Sequence, residues 1–461
     1  MNYHLVGAGG VGMSALAQLM LSLGCPVSGS DRYLDSGREL DIFRKLRALG
    51  MELVPQDGSG VRAGTAAVVV SSAIEEDNPD ISAARALGIP VVHRAAMLAE
   101  LARGRRCIAV TGTAGKSTVT GMIGWVLTEL GLDPAVVNGA PVLNWVSDRH
   151  PGNFRFGRSG PWVLELDESD RSLLHFHPDL AVITNVSKDH FELEEVRRIF
   201  ATFARQVKEG VIGCNPLEAS GIPEPGFEAR VSAEGIAFDY GGARFRLPLM
   251  GRHNAENALH CVKLCERLGL DLRKVSAALE KFGGIERRLQ VVGRPGGVTV
   301  IDDYAHNPAK IAAAWGTVAP LCRRLSAVWR PHGYGPLALM RRELEATFSS
   351  LLRPADRLFI MEAYFAGGTA GREVTGRMLA DDLKLAGNPV EYAAGYDELM
   401  PALLSSAAGG GAVLFMGARD PDLPVFARGL VLKLDDLFMH RAPGSGGVAQ
   451  ENQPTEKAHQ D

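Results

Sequence analysis

The chain has no surplus of positive charge, no cysteines at metal-binding spacing and no apolar run of membrane-spanning length. Over 461 residues, 49 Lys and Arg stand against 53 Asp and Glu, a formal net charge of −4 at pH 7. Binding to nucleic acid through phosphate neutralisation needs a basic surplus, so no nucleic-acid partner is expected; a local basic pocket for a small anion remains compatible. The six cysteines (Cys25, Cys107, Cys214, Cys261, Cys265 and Cys322) never adopt C-x-x-C spacing, and several lie in apolar runs. They read as reduced core thiols of a cytosolic protein, and Cys261 with Cys265 lacks the further ligands a zinc site needs. No stretch approaches the roughly 20 apolar residues of a membrane helix, so no membrane insertion is expected. Met1 to Val6 has no charged region followed by a long apolar core, which is not a signal peptide and points to a cytoplasmic location. Oligomeric state is not legible.

What is present is repeated alternation of strand-like and helix-like segments. The length exceeds what one core usually supports, and three α/β domains fit best. Tyr3 to Val6, a helix from Val11 to Leu23, Val27 to Gly29, Ala67 to Ser71 and Ile89 to Val92 predict a first parallel sheet. A second α/β unit starts near Cys107, with Trp162 to Leu166 and Leu180 to Thr184 as buried strands. A third begins at Gly297, with strands at Val298 to Ile301, Leu325 to Trp329, Arg357 to Met361 and Ala412 to Phe415. The expected division is 1–104, 105–284 and 285–435, followed by a polar tail, 436–461, with the composition of a disordered segment. The fold class is α/β: a Rossmann-like N-terminal domain, a central P-loop ATPase-like domain and a C-terminal Rossmann-like domain.

Two glycine-rich turns carry the chemistry. Cys107 to Thr111 is an apolar strand that breaks at Gly112, Thr113, Ala114 and Gly115 and continues through Lys116, Ser117 and Thr118 into a helix candidate ending at Leu130. Val110 stands where the full G-x-x-x-x-G-K-[ST] pattern needs glycine, so this is a shorter T-G-T-x-G-K-S form. Backbone N–H groups of such a turn cradle phosphates, a lysine bridges them and a serine hydroxyl reaches magnesium; the pattern predicts ATP and Mg2+. Upstream, Gly7 to Gly12 satisfies G-x-G-x-x-G after the first strand, with Asp31 closing the next one. Alone this suggests NAD, with Asp31 on a ribose. Followed by an ATP loop, it reads better as a diphosphate site for a UDP-linked substrate, the two substrates being joined at the expense of ATP. Glu165 to Asp170 and Thr184 to His190 each end a strand, and in an open parallel sheet both ends share an edge with the phosphate loop. Glu165 and His190 are thus metal-ligand candidates, whereas Asp170 reads as solvated loop.

These motifs, with Ser71 to Pro79, His93 to Glu100, Gly251 to Asn254, Arg287 with Arg288, and Asp302 to His306, resemble in order and combination the Mur ligase family. These are ATP-dependent amide-forming enzymes of peptidoglycan precursor synthesis, and the resemblance runs from about Tyr3 to Leu430. It implies that ATP phosphorylates a sugar carboxylate, that an amino acid's amine attacks the acyl phosphate, and that positioning and charge neutralisation supply most of the catalysis. The implied substrates are UDP-N-acetylmuramate and an amino acid, L-alanine. Carried over residue by residue, Gly9, Gly10, Gly12, Asp31, Ser71, Ser72, His93 and Arg94 would hold the UDP-sugar. Lys116 would neutralise the transferring phosphoryl group, and Ser117, Glu165 and His190 would bind magnesium. His253 and Asn254 would contact the nucleotide, Arg287 and Asp303 would close onto it, and Tyr304, His306 and His332 would face the acceptor. On this reading Lys116→Ala reduces turnover by several orders of magnitude with little loss of fold stability.

Three departures from the family pattern stand out. Ala114 occupies a position where histidine is usual, and the stretch from His190 to Gly251 is short by a few tens of residues. The segment after Pro331 and His332 continues Gly333, Tyr334, Gly335, Pro336, without the arginines that would pair bidentately with an acceptor carboxylate. Arg330, Arg341 or Arg342 would have to substitute. At this point a tripeptide-recycling ligase, or a non-catalytic nucleotide- and UDP-sugar-binding regulator, fits the same residues.

Overall fold

The computed structural model describes residues 2–187, 192–214, 227–365 and 371–439. The chain divides into two compact units, Met1–Gln290 with Gly316–Leu321, and Val291–Trp315 with Cys322–Asp461.

In the first unit the alternating apolar runs build a five-stranded parallel sheet in the spatial order Glu52–Val54, Val27–Ser30, Asn2–Val6, Thr65–Val70 and Val91–His93. Glu52–Val54 was not expected from the sequence, since three residues with one charge carry no period. Helix Val11–Ser22 leaves the first glycine turn and buries Met13 through Met20 without a break. A helix apolar on every side is covered on every side, and this one lies between the first sheet and strands Ala135–Val137 and Phe154–Arg155 of the next.

The second sheet runs Gly210–Gly213, Leu180–Ile183, Cys107–Thr111, Trp162–Glu165, Ala135–Val137 and Phe154–Arg155, parallel except for the last strand. Beside it stands a small antiparallel sheet, Ala229–Val231, Ile236–Tyr240 and Ala243–Leu247. Ala243–Leu247 alternates buried and exposed residues, with Arg244 and Arg246 outward; that period-two signal spans only five residues and went unread. One apolar cluster takes in Leu5 and Leu16 of the first sheet's layer with Ala109, Leu164 and Phe200 of the second. Another packs Ile108, Val119 and Phe245 beneath helix Arg252–Arg267 with Cys261 and Cys265. None of the six cysteines is in a disulfide, and burial pushes the Cys107 thiol up to about 12. They are packing residues, as composition suggested.

The second unit's sheet has the order Gln290–Gly293, Val298–Asp303, Gly411–Met416, Leu325–Trp329, Arg357–Met361 and Val390–Ala393, with the last five strands parallel. Its strands Val298–Asp303, Gly411–Met416 and Leu325–Trp329 are buried almost throughout, the mark of a sheet covered on both faces. Helix Leu423–Met439 takes in residues 436–439 of the expected tail, and the remainder of that tail lies outside the described residues. Among the described residues no helix is long and apolar enough to cross a membrane.

Candidate active site

The phosphate loop sits where the sheet's topology puts it. Val110 is in register with both Glu165 and Val182, so the loop leaving Thr111 emerges between the ends of Trp162–Glu165 and Leu180–Ile183. Gly112 and Gly115 adopt φ of +133° and +82°, conformations that disfavour a side chain. A Cβ on Gly112 would collide with Thr184 Oγ1, and one on Gly115 with Asn257 Oδ1. Asn185 folds over the turn: its Oδ1 accepts from the Ala114 N–H at 3.0 Å and from the Thr113 hydroxyl, and its Nδ2 donates to Ala114 O at 3.0 Å. Thr184 Oγ1 also donates to Ala114 O, at 2.6 Å. Ala114 therefore contributes backbone alone, which is why the loss of a side chain there leaves the turn intact.

Helix Lys116–Glu129 begins at this turn, its first amides directed into it. Ser117 Oγ donates to Glu165 Oε1 at 2.9 Å, while Glu165 Oε2 accepts the Gly139 N–H at 2.6 Å. Lys116 Nζ donates to Gly112 O at 2.9 Å and to Glu168 Oε2 at 2.6 Å, with Asp167 Oδ1 at 3.7 Å. Burial works against the ammonium, but Glu168, Asp167 and Glu165 together hold its pKa above the ordinary lysine value. Glu168 is 2% exposed and its Oε1 has no hydrogen-bond partner among the described residues. Burial raises its pKa, and Lys116 only partly opposes this. Three carboxylates around one lysine leave local negative charge, a setting that suits a divalent cation between Ser117 and Glu165 when phosphates arrive. No group of three or more acidic, histidine or cysteine residues is assembled as a metal cage among the described residues; His190, the third expected ligand, lies outside them.

At the first sheet, Asp31 is buried and its carboxylate accepts the Gly9 N–H at 2.9 Å and the Tyr33 N–H at 3.0 Å. It braces the glycine turn from within. Gly12 leaves room for Arg94, whose Nη1 lies 2.7 Å from where a Cβ would stand. His93 caps helix Arg94–Ala102 through Nδ1, which accepts the Ala95 N–H at 3.3 Å. Its Nε2 stands 3.5 Å from Asp170 Oδ2, so the residue taken as solvated loop pairs with an expected sugar-binding histidine. Burial lowers the His93 pKa, and Asp170 pulls the other way. Ser71 and Ser72 follow strand Thr65–Val70, half-buried and exposed respectively.

His253 and Asn254 open helix Arg252–Arg267. Burial lowers the His253 pKa, which favours the neutral ring. Asn254 Nδ2 donates to Met250 O at 2.7 Å, and its Oδ1 accepts from Asn257 Nδ2 at 3.1 Å. Asn257, which touches the Gly115 position, thus ties the nucleotide-contact candidates to the loop. Its spacing of three from Asn254 on a helix is the signal that could have found it. Arg287 adopts φ +57°, and its N–H donates to Gln290 Oε1 at 3.0 Å.

Within the second unit, Asp303 Oδ1 accepts the Ala305 N–H at 2.8 Å. The Tyr304 and His306 rings meet edge-on at 5.7 Å, and His306 and His332 at 4.9 Å. Two of the three substitutes expected for the missing arginines are engaged in ion pairs. Arg330 pairs with buried Asp420 at 2.5 Å between the rings of Tyr364 and Tyr396, and Arg341 pairs with Asp382 at 2.5 Å. Arg342 is exposed on the helix that follows.

Comparison with known proteins accords with this arrangement. Residues 2–106 match the Mur ligase family catalytic domain, and residues 287–419 the Mur ligase glutamate ligase domain. A UDP-N-acetylmuramate–L-alanine ligase of Synechococcus sp. (strain JA-2-3B'a(2-13)) is 36% identical over 92% of this chain and 91% of its own. The enzyme of that name from Myxococcus xanthus is 34% identical over 90% and 92%. The crystal structure of UDP-N-acetylmuramate–alanine ligase from Thermotoga maritima superposes with a TM-score of 0.77 at 27% identity, over 95% of this chain and 100% of that one. Identity that spans both units is too extensive for a shared fold alone, and the chain belongs to the Mur ligase family.

Proposed function

We propose that the chain is a cytoplasmic ATP-dependent ligase that joins L-alanine to the carboxylate of UDP-N-acetylmuramate through an acyl phosphate, a step of peptidoglycan precursor synthesis. The observation that carries this reading is the Lys116 and Ser117 pair at a glycine turn, set against Glu165 and Glu168 in a chain more than a third identical to such a ligase. We assign residues 1–104 to the UDP-sugar, 105–284 to the nucleotide and 285–435 to the acceptor and to closure over the nucleotide.

In this reading the amides of Gly112 to Lys116 take the phosphates, and Lys116 shifts from Glu168 toward the transferring phosphoryl group, where it neutralises developing charge. Ser117 and Glu165, with His190, would hold magnesium, whose contribution is to screen phosphate charge. His93 and Arg94 orient the UDP-sugar so that its carboxylate attacks in line. The amine of the amino acid then displaces phosphate from the acyl phosphate, forming the amide. His253, Asn254 and Arg287 contact the nucleotide, Asp303 closes over it, and Tyr304, His306 and His332 border the acceptor.

The purified protein with ATP, magnesium, UDP-N-acetylmuramate and L-alanine is expected to release one phosphate per amide formed. Phosphate release with a tripeptide but not with L-alanine would convert the assignment to a recycling ligase, and nucleotide binding without turnover to a regulator. The intact Lys116, Ser117 and Glu165 set favours catalysis.

A further inference from the structure

Asp303, Met416 and Trp329 lie on one register line across three adjacent parallel strands. Three residues beyond each, where the chain leaves the sheet, stand His306, Arg419 and His332. The His306 and His332 rings are in contact at 4.9 Å. Burial first, then the charges of His306, Arg419 and Lys310, push the His332 pKa down to about 4, which places Arg419 and Lys310 in the electrostatic neighbourhood of that ring. Helix Tyr334–Leu351 starts two residues after His332, so its first amides add positive potential at the same edge.

The carboxylates nearby in sequence are already engaged. Asp420 is 2% exposed and holds Arg330 and the Tyr396 hydroxyl. Glu362 accepts from the Ala363 and Gly376 amides and from Tyr392 Oη. Arg419 is exposed and forms no hydrogen bond or ion pair among the described residues. An arginine left unpaired beside two imidazoles in edge-to-face contact, at the ligand edge of an α/β sheet, suits a small carboxylate.

We propose that Arg419 receives the carboxylate of the incoming amino acid, in place of the arginines missing from the segment after His332. The assignment rests on the ligase reading above and adds to it a residue for acceptor recognition, delivered by a different strand. It accounts for an acceptor segment without arginine in a chain whose Arg330 and Arg341 are both committed to aspartates. Lys310 lends charge, while the planar guanidinium supplies the paired donors.

The test compares L-alanine with L-alaninamide, which lacks the carboxylate charge, in the wild type, R419A and R419K, by phosphate release at saturating ATP and UDP-N-acetylmuramate. R419A is expected to raise KM for L-alanine about 10- to 100-fold, the worth of a charge-assisted bidentate contact. Its KM for ATP stays within about twofold of wild type. The wild type should disfavour the amide by a similar factor, R419A should scarcely distinguish amide from acid, and R419K should fall between. Preserved discrimination in R419A, or a rise in KM for ATP instead, overturns the proposal while the ligase reading stands. Absence of wild-type turnover with L-alanine overturns both.

Discussion

Replacing Lys116 tests the site and also corrects one expectation about it. Its ammonium is the partner of Glu168, which is 2% exposed and has one carboxylate oxygen without any hydrogen bond. Lys116→Ala therefore leaves a buried charge unpaired, a change that typically costs about 3 to 5 kcal/mol. The variant is expected to lose stability as well as turnover, contrary to what a surface loop would suggest. The sign of its pH dependence follows from Glu168. Burial already raises this carboxyl's pKa above the ordinary glutamate value, and the lysine is what opposes the rise. Without the lysine the folded pKa climbs further, so the folded state is penalised increasingly as pH rises from 4.5 toward the new folded value. The deficit is therefore expected to be smaller at pH 5 than at pH 8. Thermal melting of wild type and variant at both values, with phosphate release at pH 8, measures the two effects. Turnover should fall about a thousandfold or more, since the charge meeting the transferring phosphoryl group is gone. K116M combined with E168Q should recover most of the melting temperature and none of the activity. Equal melting deficits at pH 5 and pH 8, or turnover within tenfold of wild type, would refute the pairing argument.

Gly112→Ala forces a side chain into φ +133° and against Thr184 Oγ1, so nucleotide affinity should fall about tenfold or more; calorimetry with a non-hydrolysable ATP analogue reads this, and an unchanged Kd contradicts the cradle. Asp170→Asn weakens the only side-chain partner of His93 Nε2 among the described residues and should raise KM for the UDP-sugar about threefold to tenfold with KM for ATP unmoved; a matching rise for ATP would place Asp170 on the nucleotide instead. His260, half-buried with Nε2 on Thr184 O at 3.0 Å, has its pKa lowered by burial to about 4. A folded pKa below the unfolded one contributes stability above pH 6.5 that is lost as pH falls toward 4, by up to about 3 kcal/mol. His260→Gln should flatten that part of the melting profile, and an unaltered slope between pH 6.5 and 4 would show that another group governs it.

Lys116, Ser117 and Glu165 were legible because a parallel sheet leaves little choice: strands adjacent in register release their loops at one edge, and three short motifs named the strands. Their partners were hidden for a corresponding reason. Glu168 lies three residues past Glu165 in the same loop, and only the path of that loop decides which acid meets Lys116 and which meets Ser117. Asn185 was named as part of a strand end, yet nothing local indicates that its amide grips Ala114. Asp170 was read as solvated because its partner, His93, belongs to another sheet. Asp31 carries a contact that the motif alone does not indicate: its carboxylate accepts the backbone N–H groups of Gly9 and Tyr33 and so holds the turn's shape. The antiparallel sheet between 229 and 247 was missed because five-residue strands with arginines on one face look like ordinary polar linker.

The boundary expected at 104 and 105 separates two sheets but does not separate two cores. Leu5 and Leu16 share one apolar cluster with Ala109, Leu164 and Phe200, and Asn153, 1% exposed, reaches back to the glycine turn's helix. Its Nδ2 donates to Val11 O at 2.7 Å and Ser14 Oγ at 2.9 Å, and its Oδ1 accepts from Gln18 at 2.9 Å. An amide that satisfies three partners across such a junction fixes register where apolar packing alone tolerates sliding. The G-x-G-x-x-G turn opens the helix that Asn153 holds, and the phosphate loop opens the helix that packs on the same sheet as Asn153. The two turns are therefore held relative to each other by buried contacts, and on the proposed reading a sugar carboxylate bound at one would meet a phosphoryl group bound at the other without a search. In-line phosphoryl transfer gains most of its rate from such positioning. That requirement is consistent with a junction whose amide, Asn153, is buried and hydrogen-bonded on both of its polar atoms.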